Sequence, residues 1–204
     1  MPAPFEKIKV EHYLPAFEAA IAEHNKEIQA IIDNAEAPTF DNTIAALDYS
    51  GETLSKVAGV FFNMMAANTS EELQKVNEQV GPMMATHSDN VSMNAKLFEK
   101  IKAVYDAKDS QKYTGEQLAL LEKTYNKFVR SGALLDAAKQ EELRKVNAEL
   151  TKVESKFDAN LLKESKAYQL VIDKEENLKG LPQGEIEKAA ALAKEKGQEG
   201  KWIF

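Results

Sequence analysis

Cysteine is absent from the 204 residues, which excludes disulfides, thiolate metal ligands and thiol nucleophiles and leaves the redox compartment open. Arginine is almost absent: of 26 basic residues only Arg130 and Arg144 carry the planar fork that grips phosphate bidentately. Acidic residues number 33, for a formal net charge of −7. Neither nucleic acid nor an anionic membrane is therefore expected as a partner, because both select basic faces. No apolar run approaches the roughly 18 residues of a membrane helix. Met1-Pro2-Ala3-Pro4 also lacks the basic and then apolar stretches of a signal peptide.

Glycine (9) and proline (6) are scarce, and what fills their place runs at helical period. Helical spacing predicts a first helix from near Glu11, with Pro15 tolerated in its first turn and Leu14, Phe17, Ile21, His24, Ile28 and Ile31 on one face. Thr39, Asp41 and Asn42 are candidate caps for a second helix with the stripe Ile44, Leu47, Gly51, Leu54, Val57, Phe61 and Met65. The small residues Ser50, Gly51 and Gly59 predict close approach of another backbone. Thr69 with Glu72 reads as a capping box for a third helix through Leu73, Val76, Val80, Met83 or Met84, His87 and Val91, kinked or broken at Pro82.

Asn94 caps a fourth helix on Leu97, Ile101 and Val104. Thr114 with Gln117 starts a fifth through Leu118, Leu121, Tyr125 and Phe128, stopped at Ser131-Gly132. Asp136 caps the longest element, about 136–166, with Leu143, Val146, Leu150, Val153, Phe157 and Leu161 on one face. Asn160 falls where a heptad wants an apolar residue, which points to a long globular helix, not a coiled coil. After Ala167 the pattern changes. Tyr168–Ile172 and Trp202–Phe204 read as two short strands around an alanine-rich helix at Glu185–Lys196, an arrangement that suits a parallel crossover. The expected fold is mainly α, with long antiparallel-type helices and a small two-strand-plus-helix element at the C-terminal end. The domains are read as 1–167, helical, and 168–204, the start of a mixed element expected to continue past Phe204.

Chemistry-bearing constellations are few. His12, His24 and His87 show no His-Glu-x-x-His spacing, which would set two imidazoles on one helix face around zinc. His24 and His87 sit on apolar stripes and read as hydrogen-bonded core or boundary residues. Glu71-Glu72, Glu141-Glu142 and Glu175-Glu176 point about 100° apart on a helix, so each pair faces solvent or the helix dipole and does not converge on a metal. Asp33-Asn34 and Asp41-Asn42 mark helix boundaries, not calcium loops. Met64-Met65, Met83-Met84 and Met93 read as core beside Phe61 and Phe62. The glycines form no phosphate loop, and no Gly-x-Ser-x-Gly elbow is present. No catalytic, metal-binding or substrate-binding residue is assigned in these 204 residues.

Five stretches, in order and spanning the chain, carry a resemblance. They are Pro4–Ile8 leading into Glu11–Phe17; Pro38–Ile44 with Ala46-Leu47; Ser50-Gly51-Glu52 to Val60-Phe61-Phe62; Phe128–Leu135; and Gly200–Phe204. Together they resemble the amino-terminal part of the thimet oligopeptidase and peptidyl-dipeptidase family of zinc metallopeptidases. Ser50-Gly51-Glu52 and Val60-Phe61-Phe62 favour the bacterial peptidyl-dipeptidase branch.

The resemblance implies a longer chain whose His-Glu-x-x-His helix and later glutamate ligand lie beyond this part, with zinc as cofactor there and none here. There the metal would polarise the scissile carbonyl and activate water. This part is expected to wall a helical channel that admits short peptides, and C-terminal dipeptides are the expected products. The expected partners are the catalytic remainder of the same chain and short peptide substrates. A soluble protein of the bacterial cytoplasm or periplasm is expected, since a leader could have been removed. The alternative is a stand-alone helical module that binds a protein or peptide. Weak self-association through the Tyr168–Phe204 end, where Lys201–Phe204 is an apolar strand, is expected, unless that strand folds back onto Leu170-Val171-Ile172.

Overall fold

The structure, a computed structural model, describes residues 3–204, residue 166 through its backbone alone. Two compact units form, the first ending at Ser155 and the second running Lys156–Phe204.

In the first unit, helix α1 covers Tyr13–Asp33 after two 3-10 turns at Phe5–Lys7 and Val10–His12. Pro15 sits in its first turn, where no intrahelical N–H is missed. The next segment departs from the sequence expectation of one continuous helix. Thr39 and Asn42 do form a reciprocal box: the Asn42 N–H donates to Thr39 Oγ1 (3.1 Å) and the Thr39 N–H to Asn42 Oδ1 (2.8 Å). A π-helical turn at Phe40–Ala45 follows and leads into the short α2, Ala46–Tyr49. The chain breaks at Ser50-Gly51 and restarts as α3, Glu52–Ala67.

The break has a local cause. Both the hydroxyl (2.7 Å) and the N–H (3.2 Å) of Ser50 donate to the Leu47 carbonyl, the acceptor that a continuing helix would offer to the Gly51 N–H. Gly51 then turns left-handed at φ 73°, a region that costs other L-residues about 1–2 kcal/mol.

Helix α4 covers Glu71–Ser92. Its cap is Ser70, one residue after the Thr69 read from sequence: the Leu73 N–H donates to Ser70 Oγ at 3.2 Å. The Thr69 hydroxyl turns away, to Met65 Sδ (3.8 Å). The helix runs through Pro82 without a break, losing one intrahelical donor there, with Val80 and His87 buried on either side. Helices α5 (Ala95–Asp106), capped by Asn94, and α6 (Gly115–Arg130), boxed by Thr114 and Gln117, follow as predicted. Gly132 at φ 96° terminates α6, and Asp136 Oδ1 accepts from the Lys139 N–H (2.9 Å) to start α7, Ala137–Ala167.

Two apolar clusters form the first unit's core. One gathers Ile28, Ile31, Ile44, Leu97, Phe98, Ile101, Val104, Leu121 and Phe128. The other gathers Tyr13, Phe17, Ala20, Leu54, Phe61, Leu73 and Val80, with Met64, Met65, Met83 and Met84 packed around it as plain core. Gly59 meets open space, so the close approach expected there is absent; Gly51 has a close neighbour, but it is a side chain.

Helix α7 runs over the predicted span but leaves most of its apolar face uncovered. Val146, Leu150, Val153, Phe157 and Leu161 are all more than half exposed, and only Leu143 of that face is half-buried. The inward positions of its first half are polar instead: Arg144 Nη1 donates to Asn90 Oδ1 (3.0 Å), and Asn147 Nδ2 to Asp89 Oδ1 (2.8 Å).

In the second unit, β1 (Val171–Ile172) and β2 (Trp202–Ile203) pair antiparallel, Val171 opposite Ile203 and Ile172 opposite Trp202. The parallel crossover is thus overturned. Between the strands lie a 3-10 turn at Glu175–Leu178 and helix α8, Gln183–Glu195. Left-handed turns at Gly197 (φ 71°) and Gly200 (φ 89°) then swing the chain back against β1. Ile203 is 2% exposed and Leu170 exchanges both backbone hydrogen bonds with Phe204, so the fold-back alternative to a free strand is the one adopted. Among the described residues no helix is long and apolar enough to cross a membrane.

Two measurements check this account. Phe61, fully buried against Tyr13 and Phe17, should cost about 3–5 kcal/mol when replaced by alanine. Ser70→Ala should cost about 1 kcal/mol and Thr69→Ala much less, by urea unfolding. A larger loss for Thr69→Ala than for Ser70→Ala would return the cap to Thr69.

Candidate functional site

Three stretches of the chain, α1, the segment from the π turn into α3, and α4 with the start of α5, each pass from one apolar cluster to the other, and each carries a polar group at the crossing. On α1, His24 lies between Ala20 of one cluster and Ile28 of the other. Ser50-Gly51 lies between Ile44 and Leu54, and His87 between Val80 and Leu97. The structure brings these groups together. His24 Nδ1 and His87 Nε2 are 2.8 Å apart, and His24 Nε2 is 3.1 Å from Ser50 Oγ. The two rings meet edge to face, with centroids 4.9 Å apart at 66°.

The proton positions follow from the partners. The Ser50 hydroxyl spends its proton on the Leu47 carbonyl, so Ser50 Oγ accepts from His24 Nε2–H. That leaves His24 Nδ1 as the acceptor of His87 Nε2–H. Glu27, one turn beyond His24, accepts from the Gly51 N–H at 2.7 Å, and Glu23 accepts from the Thr53 hydroxyl at 3.1 Å. Gly51 presses its backbone onto the His24 ring: a Cβ there would lie 3.1–3.2 Å from three imidazole atoms. Gly51 is therefore required twice, by its dihedral and by its neighbour.

Burial lowers the proton affinity of both histidines. The His87 pKa is lowered further by a charge on His24, whereas the Glu27 carboxylate partly restores that of His24. Both rings are thus held neutral at pH 7. The arrangement resembles a nucleophile and its base only in composition. The imidazole donates to the serine and does not take its proton, and the hydroxyl is committed to a carbonyl inside a helix break. Its chemistry is that of a polar clasp joining α1, α4 and the break between α2 and α3, where apolar packing changes hands.

The histidines' reading as hydrogen-bonded core or boundary groups matches this placement. His12 is apart, its Nδ1 accepting from the Lys9 N–H. Sequence reasoning did not connect Ser50 and Glu27 to the pair. The available signal was a polar residue on each of two apolar stripes, since buried polar groups demand partners. Beside the clasp a groove of about 460 Å³ runs past Glu27, Asn34, Asn42 and Ser50, with Tyr49 standing 81% exposed at its edge. Among the described residues no three His, Cys, Asp or Glu side chains converge as a metal site requires.

Comparison with known proteins extends the resemblance. Residues 17–141 match the family described as neurolysin/thimet oligopeptidase, N-terminal domain. Over 200 residues, 98% of this chain, the identity is 37% to a dipeptidyl carboxypeptidase of Escherichia coli (strain K12) and 38% to one of Salmonella typhimurium. An oligopeptidase A of Haemophilus influenzae is 25% identical over 197 residues. The chain spans 29% of the length of each of these curated relatives.

The clasp makes stability depend on pH. An unfolded histidine titrates near 6.5, and both folded pKa values lie lower. The contribution is therefore complete above pH 6.5 and is lost as pH falls through the folded values. The urea midpoint should drop between pH 7.5 and 5.5, above the range where carboxylates protonate. His87→Gln should be less stable at pH 7.5 but show a flatter drop; an equal drop in the variant would place the titration elsewhere. Gly51→Ala should cost at least about 1–2 kcal/mol at any pH, read from the same titrations.

Proposed function

We propose a function from one premise: the chain belongs to the neurolysin/thimet oligopeptidase N-terminal domain family. Its relatives are peptidases, and this chain corresponds to their N-terminal part. On this reading the chain is the non-catalytic amino-terminal part of a zinc metallopeptidase that removes C-terminal dipeptides from short peptides. The observation that carries it is the gap in identity. The chain is 37–38% identical to dipeptidyl carboxypeptidases, against 23–25% to the bacterial oligopeptidases A, over near-equal spans.

The role proposed for this part is to wall the channel that admits substrate. Rigid helical layers suit that task, because a wall that excludes folded proteins must hold its spacing. Two apolar clusters and the His24–His87–Ser50 clasp supply such rigidity in the first unit. No step of the hydrolysis is assigned to these 204 residues; the zinc and its ligands are placed in the chain that follows.

The test is expression of the complete reading frame and incubation with short peptides, free or amidated at the C-terminus, with products read by mass spectrometry. Release of C-terminal dipeptides from the free peptides, loss of activity with a chelator and recovery with zinc are expected. Residues 1–204 alone should release none. Cleavage confined to internal bonds would move the protein to the endopeptidase branch, and a stop codon after Phe204 would favour the stand-alone helical module.

A further inference from the structure

Helix α7 is amphipathic in the inverse sense over its first half. Arg144 and Asn147 bond to Asn90 and Asp89 of α4, and one turn on the Thr151 methyl lies over Gly81 of α4, 3.6 Å from where a Cβ would stand. These residues recur at i, i+3 and i+7, one helical face, and that face meets the body of the unit. On the opposite side Val146, Leu150 and Val153 are 60%, 51% and 55% exposed. A globular helix normally turns its apolar stripe inward and its polar face outward. Here the polar face is held by hydrogen bonds to α4, so rolling the helix to bury its stripe would break both of them.

From this juxtaposition we propose that Val146, Leu150 and Val153 form a docking seam for the polypeptide that follows residue 204 in the complete protein. The inference rests on the reading that this chain is the N-terminal part of a longer peptidase. The relatives are matched over 29% of their length, so on that reading the larger share of the protein is tethered to this unit. A tethered segment competes for an apolar face at an effective concentration that a second copy reaches only in concentrated solution. The charges flanking the stripe are mixed in sign, Lys145, Glu149 and Glu154, which gives no strong field of one sign to select a separate charged partner. The remainder of the same chain is therefore the occupant.

The chain's lack of cysteine supplies the test. Leu150→Cys and Val153→Cys are introduced singly into residues 1–204 and into the complete protein, with Lys152→Cys, on the far side of α7, as control. Alkylation rates are read by peptide mapping. Both stripe cysteines should label at the rate of the control in residues 1–204, and on the order of ten-fold or more slower in the complete protein. The paired variant Leu150→Lys/Val153→Lys should leave the Tm of residues 1–204 within about 2 °C and lower that of the complete protein by about 5 °C or more. Equal labelling in a complete protein that still releases dipeptides overturns the seam and leaves the function standing. Slow labelling already in residues 1–204 that speeds up on dilution makes the occupant a second copy and overturns the proposal. A reading frame ending at Phe204 overturns both.

Discussion

The hydrogen bond between His24 and His87 ties α1 to α4 at the position where both helices leave one apolar cluster and enter the other. Two clusters on shared helices could slide or rotate against one another if only apolar contacts held them, since those contacts have no direction. The imidazole pair adds direction. A 2.8 Å contact between ring nitrogens fixes the rotation of α1 relative to α4, and that rotation decides which residues of each helix face which cluster. Ser50 extends the constraint to a third segment, and its own orientation depends on the Leu47 carbonyl.

The break at Ser50-Gly51 and the clasp are therefore one feature seen from two sides. Breaking the helix releases the Leu47 carbonyl and the Gly51 N–H from helical duty. The first accepts from Ser50 and the second donates to Glu27, so both backbone groups stay satisfied. A continuous helix would need neither Ser50 nor Glu27, but it would carry Leu54 and Phe61 along the direction set by Ile44. The break lets α3 take its own direction, with Ile44 in one cluster and Leu54 and Phe61 in the other.

What the sequence made legible was local. Caps at Thr39, Asn94, Thr114 and Asp136 depend on residues three apart and were readable from spacing alone. Ser70 was missed in favour of Thr69 because both neighbours can cap, and the choice was settled when the Thr69 hydroxyl turned to Met65. The helix break was hidden because Ile44, Leu47, Leu54 and Phe61 keep helical spacing across it; only Ser-Gly marked the place, and it read as close packing. The antiparallel strands were misread because β1 and β2 carry no directional signal, and direction is set by the glycine turns at 197 and 200. The family, by contrast, was legible from short motifs spread along the chain, and residues 17–141 match its model. The clasp required a contact across 63 positions, from 24 to 87, which no local pattern encodes.

The face of α7 shows the limit of periodicity most plainly. Spacing says that Val146, Leu150 and Val153 share a face, but it cannot say what that face meets. The answer came from the residues between them. Arg144, Asn147 and Thr151 are short or hydrogen-bonding side chains at helical spacing, and Asn90, Asp89 and Gly81 on α4 are their complements. Polar contact with α4 on one side and an apolar stripe on another make the first half of α7 amphipathic in the unusual sense. Such a helix is stable as a boundary only if its polar bonds hold it in place while its apolar side remains available. Arg144 and Asn147 meet that condition, because each bonds a side chain of α4 and neither depends on anything packed against the stripe.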